Sequence, residues 1–374
     1  AIGNSALRYQ NFTNATDTYN TAVGFSAGLS VTTGTNNTLI GGLSGDAITT
    51  GGSNTSVGAY AMTTLTTGNH NVAVGTSALD VTTTGSQNVA IGVSALGANT
   101  TATKNTAVGY QAGYSNTTGV LITAIGQAAL QDNTTGNGST AVGASALGDN
   151  TTGTDNTAVG SYYSSQAPLR FNTTGNFNTA LGGGALSFNT TASSNTAVGY
   201  QAAYSNTTGT SVDAFGTGSL YTNTTGNNNA GFAAGSLVSN TTGSTNSAFG
   251  RDALRNNTTA SSNTAVGYQA LYNNTTTDAV VAVGWAAGYS KTTTGSNFAQ
   301  TYVGTKAGYS NQTGIDNTYI GGYSGFNSTG SYNTALGSDS LYNNTTASEN
   351  TAVGMQAGYN NTVGAKNTFI GRVA

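Results

Sequence analysis

Asn105-Thr106-Ala107-Val108-Gly109-Tyr110-Gln111-Ala112-Gly113-Tyr114-Ser115-Asn116-Thr117-Thr118-Gly119-Val120-Leu121 is one copy of a pattern that fills the chain. Its opening residues recur as Asn156–Gly160, Asn195–Gly199, Asn263–Gly267 and Asn350–Gly354. The glycine falls at 24, 41, 58, 75, 92, 109, 126, 143 and 160, each 17 after the last. It resumes at 182, 199 and 216, is replaced by Ala233, and continues at 250, 267, 284, 304, 321, 337, 354 and 371. With Gly3 that makes 22 copies. Four steps differ from 17: 21 after Gly3, 22 after Gly160, 20 after Gly284 and 16 after Gly321.

We number the 17 places of the repeat from the first Asn and call each place, followed from copy to copy, a column. Column 4 is always Val, Ile, Leu or Phe, and column 8 is Ala or Ser in all copies but the one with Tyr163. A helix would need apolar residues at 3.6 spacing over ten or more places. Here β-branched runs are short and bounded by Gly and by Asn-Thr-Thr-Gly, which reads as strand and turn. A fixed short period of such segments is the signature of a solenoid. The expected fold is therefore all-β, a parallel β-solenoid (β-roll) of about 22 coils with a 17-residue repeat. It would form one continuous domain over 1–374, a segment of a longer chain, with irregular coils at 4–20, 161–177 and 285–300. Stacked at about 4.8 Å, the coils would make a rod on the order of 100 Å long.

Within a coil, two strands are expected: Asn105 to Val108, and Gln111 to Tyr114, with Asn116–Gly119 as a β-turn. The apolar column 4 is taken as the core, namely Val23, Val74, Ile91, Val108, Val142, Val159, Val198, Val266 and Val353, with Thr106 on the same face as Val108. The turn glycines Gly24, Gly109, Gly160, Gly199, Gly267 and Gly354 are expected to use backbone angles closed to other residues. Column 9 is usually Leu; where it is Gly, as at Gly113 and Gly288, a large residue such as Tyr114 or Tyr289 usually follows. The exchange predicts one bulky group at a filled interior corner. Tyr302, Tyr319 and Phe369 replace Ala in column 3 and suggest a second, partly buried face.

Composition removes most catalytic classes. The chain has one His, one Pro and no Cys, 6% charged residues and a net charge of −3. Thiolate metal sites and disulfides need Cys. A Ser-His-Asp relay would have to use His70, which sits in the turn Gly68-Asn69-His70-Asn71. Nine Lys plus Arg are too few for a nucleic-acid binder of this length. The acidic residues scatter over several columns and make no calcium β-roll nonapeptide. No enzyme, cofactor or metal is expected.

Stretches such as Asn71-Val72-Ala73-Val74-Gly75-Thr76-Ser77-Ala78 and Asn88-Val89-Ala90-Ile91-Gly92-Val93-Ser94-Ala95-Leu96 resemble the head repeats of YadA-like trimeric autotransporter adhesins. They are also similar to β-solenoid repeats of phage-type tail fibres. The resemblance implies a parallel β-roll, three chains about one axis, and an adhesive or fibre role on a cell surface or virion. The adhesin repeat is shorter, about fourteen residues; the additional ones are expected in the Asn-Thr-Thr-Gly turn.

The expected function is thus an extracellular structural fibre or filament that is adhesive. The alternatives are a tail-fibre segment binding surface glycans through inserted loops, and a filament of end-to-end subunits. The expected partners are further copies of the chain, as trimer or filament, and glycans or a host surface. Any membrane contact would come through a region outside this chain. Candidate glycan contacts are Tyr162, Tyr163 and Arg170 in the coil with the only Pro, and Trp285 among the column 6 aromatics. Asn116, Asn150, Asn206, Asn240 and Asn274 head N-x-T sequons in column 12. They are either glycan acceptors or a turn sequence that satisfies the sequon incidentally.

Overall fold

The computed structural model describes residues 1–12, 17–160, 166–292 and 299–374. It is a parallel β-solenoid, and no helix occurs among the described residues. Two compact units divide the chain, Ala1–Thr191 and Ala192–Ala374. The first carries ten strands from Thr21–Val23 to Thr179–Leu181, and the second eleven from Thr196–Val198 to Thr368–Ile370. Within each unit every strand pairs in parallel with those of the adjacent coils, column on column: Ala90 on Ala107 on Ala124.

Among the described residues each coil from Thr21 onward has one strand, in columns 2 to 4, extended to column 1 at Val280 and Gln300. The second expected strand is absent; columns 6 to 11 are a run of turns. Its geometry is visible at Gly109. Ala112 N–H donates to Gly109 O (3.3 Å), Tyr114 to Gln111 (3.3 Å) and Asn116 to Gly113 (3.1 Å). Gln111 and Gly113, the third residues of the first two turns, have φ of +53° and +60°, as type II turns require. This left-handed alternation frees the intervening amides to bond along the stack. Gln111 N–H reaches back to Val93 O (3.0 Å), and Gly113, Ser115 and Thr117 reach forward to Ala129, Gln131 and Thr134 (2.8–2.9 Å).

The interior corrects the expected core. Ala107 and Ala124 of column 3 are fully buried, whereas column 4 faces outward. Val74, Ile91, Val266 and Val353 are 36–40% exposed, and Val23, Val108, Val142, Val159 and Val198 are half-buried. The reason is the width of the coil. Column 3 lies against columns 8 and 9. A methyl built on Gly231, which stands in column 3, would sit 2.5 Å from Ser219 Oγ and 3.3 Å from Leu220 Cδ1. At Gly231, opposite the column 8 serine Ser219, even a methyl is too large, and in coils with Ala in column 8 and Leu in column 9 the column 3 residue is held to Ala. The bulky core residue is the column 9 leucine, as in Leu96, Leu130 and Leu254, all fully buried.

Those leucines take a left-handed backbone, Leu96 at φ +49° and Leu130 at +50°. Such a residue costs about 1–3 kcal/mol, against roughly 1.5–3 kcal/mol from burying the side chain. Glycine in column 9 removes the strain, and the space it leaves is filled from inside the coil. A methyl on Gly308 would meet the Tyr302 ring at 2.4 Å, on Gly325 the Tyr319 ring at 2.5 Å, and on Gly28 Leu39 Cδ1 at 2.6 Å. Tyr302 and Tyr319 are thus core residues at 0% exposure, and they mark no second face. The residue after the glycine, such as Tyr114, lies outside and leaves the corner to columns 1, 3 and 12. Gly45 needs no bulky neighbour at Asp46 because Ile48 and Leu39 already fill its space.

The glycine ending each strand has a steric cause. Gly24, Gly109, Gly199, Gly267 and Gly354 have φ from +128° to +139°, and a methyl on Gly109 would lie 2.5 Å from Gly126 O of the next coil. The insertion after Gly160 leaves the register intact. Leu147 N–H bonds to Pro168 O (3.1 Å) and Gly184 N–H to Gln166 O (2.8 Å), so Gln166, Pro168 and Leu169 occupy columns 6, 8 and 9. Pro168, rather than Tyr163, is the column 8 residue. Proline is tolerated there because the column 8 amide makes only the long 3.1–3.5 Å turn bond in other coils.

This inside-out assignment is tested by two neighbouring substitutions. Ala124→Leu is expected to overpack the coil and cost about 1–3 kcal/mol. Ile125→Thr, on the outer face, is expected to cost under about 1 kcal/mol in the unassociated chain. Denaturant unfolding of both variants reads the difference; the reverse order would place column 4 inside.

Candidate functional site

The strand that buries Ala in column 3 turns columns 2 and 4 outward. In the first unit this face reads Thr21/Val23, Thr38/Ile40, Thr55/Val57, Val72/Val74 and so on to Thr179/Leu181, with no charged residue on it. In the second unit only Asp213 is charged. Phe215, Phe232 and Phe249 stack there at 4.8 Å between ring centres. All-parallel sheets are normally covered on both faces. Here one face packs on the coil interior, and the other is a flat lattice of threonine and branched apolar side chains. Column 4 looked like core in the sequence because hydrophobicity does not say which side of a sheet a residue faces.

Each expected glycan contact is described in its own coil. Tyr162 and Tyr163 lie outside the described residues. Arg170 is in column 10, paired with Asp149 (3.2 Å) and lying over Phe171 (5.8 Å). Trp285 is 48% exposed, with the Lys306 ammonium 4.7 Å from its ring centre, in the second unit. Arg170 belongs to the first unit. Phe25, Tyr110, Tyr200 and Tyr268 are exposed as well. The column 10 rings behave differently. Tyr272, Tyr289, Tyr309, Phe326, Tyr342 and Tyr359 stack at 5.0–5.2 Å and within 10–14° of parallel. Their faces cover one another and only edges remain, so they reinforce the stack and offer no platform for a sugar.

Two asparagine ladders run inside each unit. In column 1, Asn88 Oδ1 accepts from the Asn105 amide (3.1 Å), and Asn105 Nδ2 donates to Gly119 O across its own coil (2.8 Å). In column 12, Asn133 Nδ2 donates to Asn116 Oδ1 (2.8 Å) and Gly136 O (3.0 Å), and Asn150 Nδ2 to Asn133 Oδ1 (2.8 Å). The sequon asparagines Asn116, Asn150, Asn206, Asn240 and Asn274 are all 0% exposed, with Nδ2 donated inward. The nitrogen a glycan would need is therefore inside the folded coil. Asn133→Ala would orphan Asn116 Oδ1 and Gly136 O. It is expected to destabilise by about 1–3 kcal/mol, and peptide mass spectrometry of the folded chain should find no hexose on these residues.

The column 12 asparagines begin at Asn99, and after it Lys291 and Ser328 interrupt them. Lys291 stands where Asn274 and Asn311 would find an asparagine between them, and it is fully buried. Its Nζ donates to Gly314 O (2.5 Å), as does Gln300 Nε2 (2.6 Å). In regular coils that column 15 carbonyl serves the column 12 asparagine of its own coil. Accordingly Asn274 Oδ1, Gln300 Oε1 and both side-chain polar atoms of Asn311 are buried without partners. Burial holds the Lys291 amine down at about 7, with nearby Asp316 pulling the other way. In the unfolded chain the amine stays protonated to a higher pH. Between about pH 7 and 10 the unfolded state therefore binds more protons, and stability rises with pH by up to ~1.4 kcal/mol per unit. Above pH 10 the buried Tyr302 and Tyr319 hydroxyls, pushed up by burial, reverse the trend. Unfolding measured from pH 7.5 to 9.5 should show this rise, and Lys291→Met should flatten it. A wild-type profile without slope would place the amine in solvent.

Among the described residues, no group of three His, Cys, Asp or Glu could hold a metal ion, and no helix is long and apolar enough to cross a membrane. His70 is exposed in its turn. The chain matches no family model, and no curated protein matches it.

Proposed function

We propose that this protein is a structural fibre segment whose bare sheet face is covered by further copies of the same chain, arranged as a trimer. The observation that carries this reading is the outward lattice of columns 2 and 4. It is uncharged throughout the first unit, half apolar, and repeated at the spacing of the coils. A partner matching it coil for coil needs the same period, and another copy of this chain has it. An exposed apolar face larger than a few hundred Å² is also what marks a protein–protein contact surface. The resemblance to adhesin heads and tail fibres supports an extracellular setting, on a cell surface or virion. There the exposed column 6 aromatics would make repeated weak contacts that add through avidity.

Sedimentation velocity of the purified chain tests the assembly. A species of three chains is expected. The pair Ile91→Lys and Ile125→Lys, which puts charge on the lattice without touching the coil interior, is expected to release monomers. A wild-type chain that stays monomeric at high micromolar concentration would overturn the proposal.

A further inference from the structure

Arg251, Asp252 and Arg255 gather two of the nine Lys and Arg residues of the chain within five positions. All three belong to one coil, in columns 6, 7 and 10. Arg255 Nη1 bonds to Asp252 Oδ1, and Arg251 Nε lies 3.4 Å from Asp252 Oδ2. The carboxylate is nearly buried, while Arg255 is 40% and Arg251 72% exposed. Asp252 thus tethers two guanidinium groups with one of its oxygens each. Each guanidinium has five N–H donors, so most of them remain available.

The two preceding coils open a space beside this triad. Column 7 normally carries a side chain, as in Gln201 and Gln269, but holds Gly218 and Gly235 here. At Gly235 the room of a methyl is taken by Asp252 Oδ1 (2.6 Å) and Arg255 Nη1 (3.1 Å), while around Gly218 a methyl would meet nothing within 4 Å. The result is a notch of about 340 Å³, closed at one end by Arg251, Asp252 and Arg255 and bordered by Val238 and Thr217. That volume is at the small end of ligand sites. It combines a net positive end, a carboxylate with unused lone pairs, and an apolar flank. Paired guanidinium groups match a carboxylate in geometry and charge. A carboxylate oxygen beside them accepts from hydroxyls, and an aliphatic side chain suits the C–H face of a pyranose.

We propose that this notch binds one carboxylate-bearing sugar unit. Arg251 and Arg255 hold its carboxylate, Asp252 accepts from a ring hydroxyl, and Val238 lies against its C–H face. The notch is built within one chain, so a monomer carries it as well, and the site stands or falls apart from the trimer.

Calorimetric titration of the purified chain with methyl glucuronide, methyl galacturonide and the methyl glycoside of sialic acid tests this, with methyl glucoside and acetate as controls. At least one acidic sugar is expected to saturate a single site, with glucoside and acetate each at least tenfold weaker. Gly218→Gln fills the notch with the side chain this column uses at Gln201 and Gln269, where φ is +54° and +57°. It is expected to abolish binding with the melting temperature unchanged, and Arg251→Met to weaken binding at least tenfold. Failure of all three acidic sugars to bind overturns the proposal, as does binding that both variants retain. Acetate binding as tightly as the sugars would leave a bare anion site and overturn the sugar assignment.

Discussion

Backbone hydrogen bonds in this fold run along the stack, from each coil to the one before and the one after. Around Gly109, the amides of Thr106, Gly113, Ser115 and Thr117 point forward, and those of Gly109 and Gln111 point back. A coil by itself satisfies little more than its three turn bonds. Buried amides must be paired, so every coil has to repeat the backbone path of its neighbours. The 17-residue period follows from that demand. So do the glycine at the strand end, whose missing side chain lets the next coil's carbonyl approach, and the left-handed residues of columns 7 and 9.

The same demand explains why irregularity is confined. Extra residues enter after Gly160 and after Lys291, between places whose amides resume their register afterwards. Where one Thr is missing, between Thr329 and Gly330, Ser328 replaces the column 12 Asn and bonds to Asn344 (3.1 Å). The ladder tolerates a change of partner more readily than a change of reach. Lys291 violates that rule: its long side chain passes the rung and takes the carbonyl beyond it. The cost appears as a local group of unpartnered polar atoms.

Function in such a molecule has to be placed on its outside, because the inside is committed to stacking. Asn and Thr are consumed by the ladders, Leu and Ala by the core, and Gly by the turns. What differs from coil to coil is a short set of outward columns: 6, 7 and 10 on one side, 2 and 4 on the sheet. The sheet columns stay apolar in column 4 and small or β-branched in column 2 apart from Asp213. Columns 6, 7 and 10 vary freely, and it is there that Trp285 with Lys306, and Arg251 with Asp252 and Arg255, break the monotony.

The sequence by itself determined the solenoid, its period, the copy number and the places of the irregular coils. Each of these is a statement about repetition, and repetition is visible without coordinates. The strand over Thr106–Val108 and the turn at Asn116–Gly119 were legible from β-branched and turn residues. Which side of the strand faces in was not. Thr-Ala-Val offers an apolar candidate on both faces, and hydrophobicity alone favours Val108 over Ala107. Only the tertiary structure decides, because the choice depends on the distance to the opposite wall, where a left-handed Leu leaves room for a methyl and a Gly leaves room for a ring. The absent second strand has the same origin: its replacement by alternating left-handed turns is set by where the neighbouring coils present their carbonyls. The candidate sites divide likewise. Lys291 could be seen in the sequence as a break in its column, and Trp285 and Arg251 as rare residue types in a variable one. That Asn116 is buried, that Gly218 opens a space, and that column 4 is a surface required the coils to be stacked.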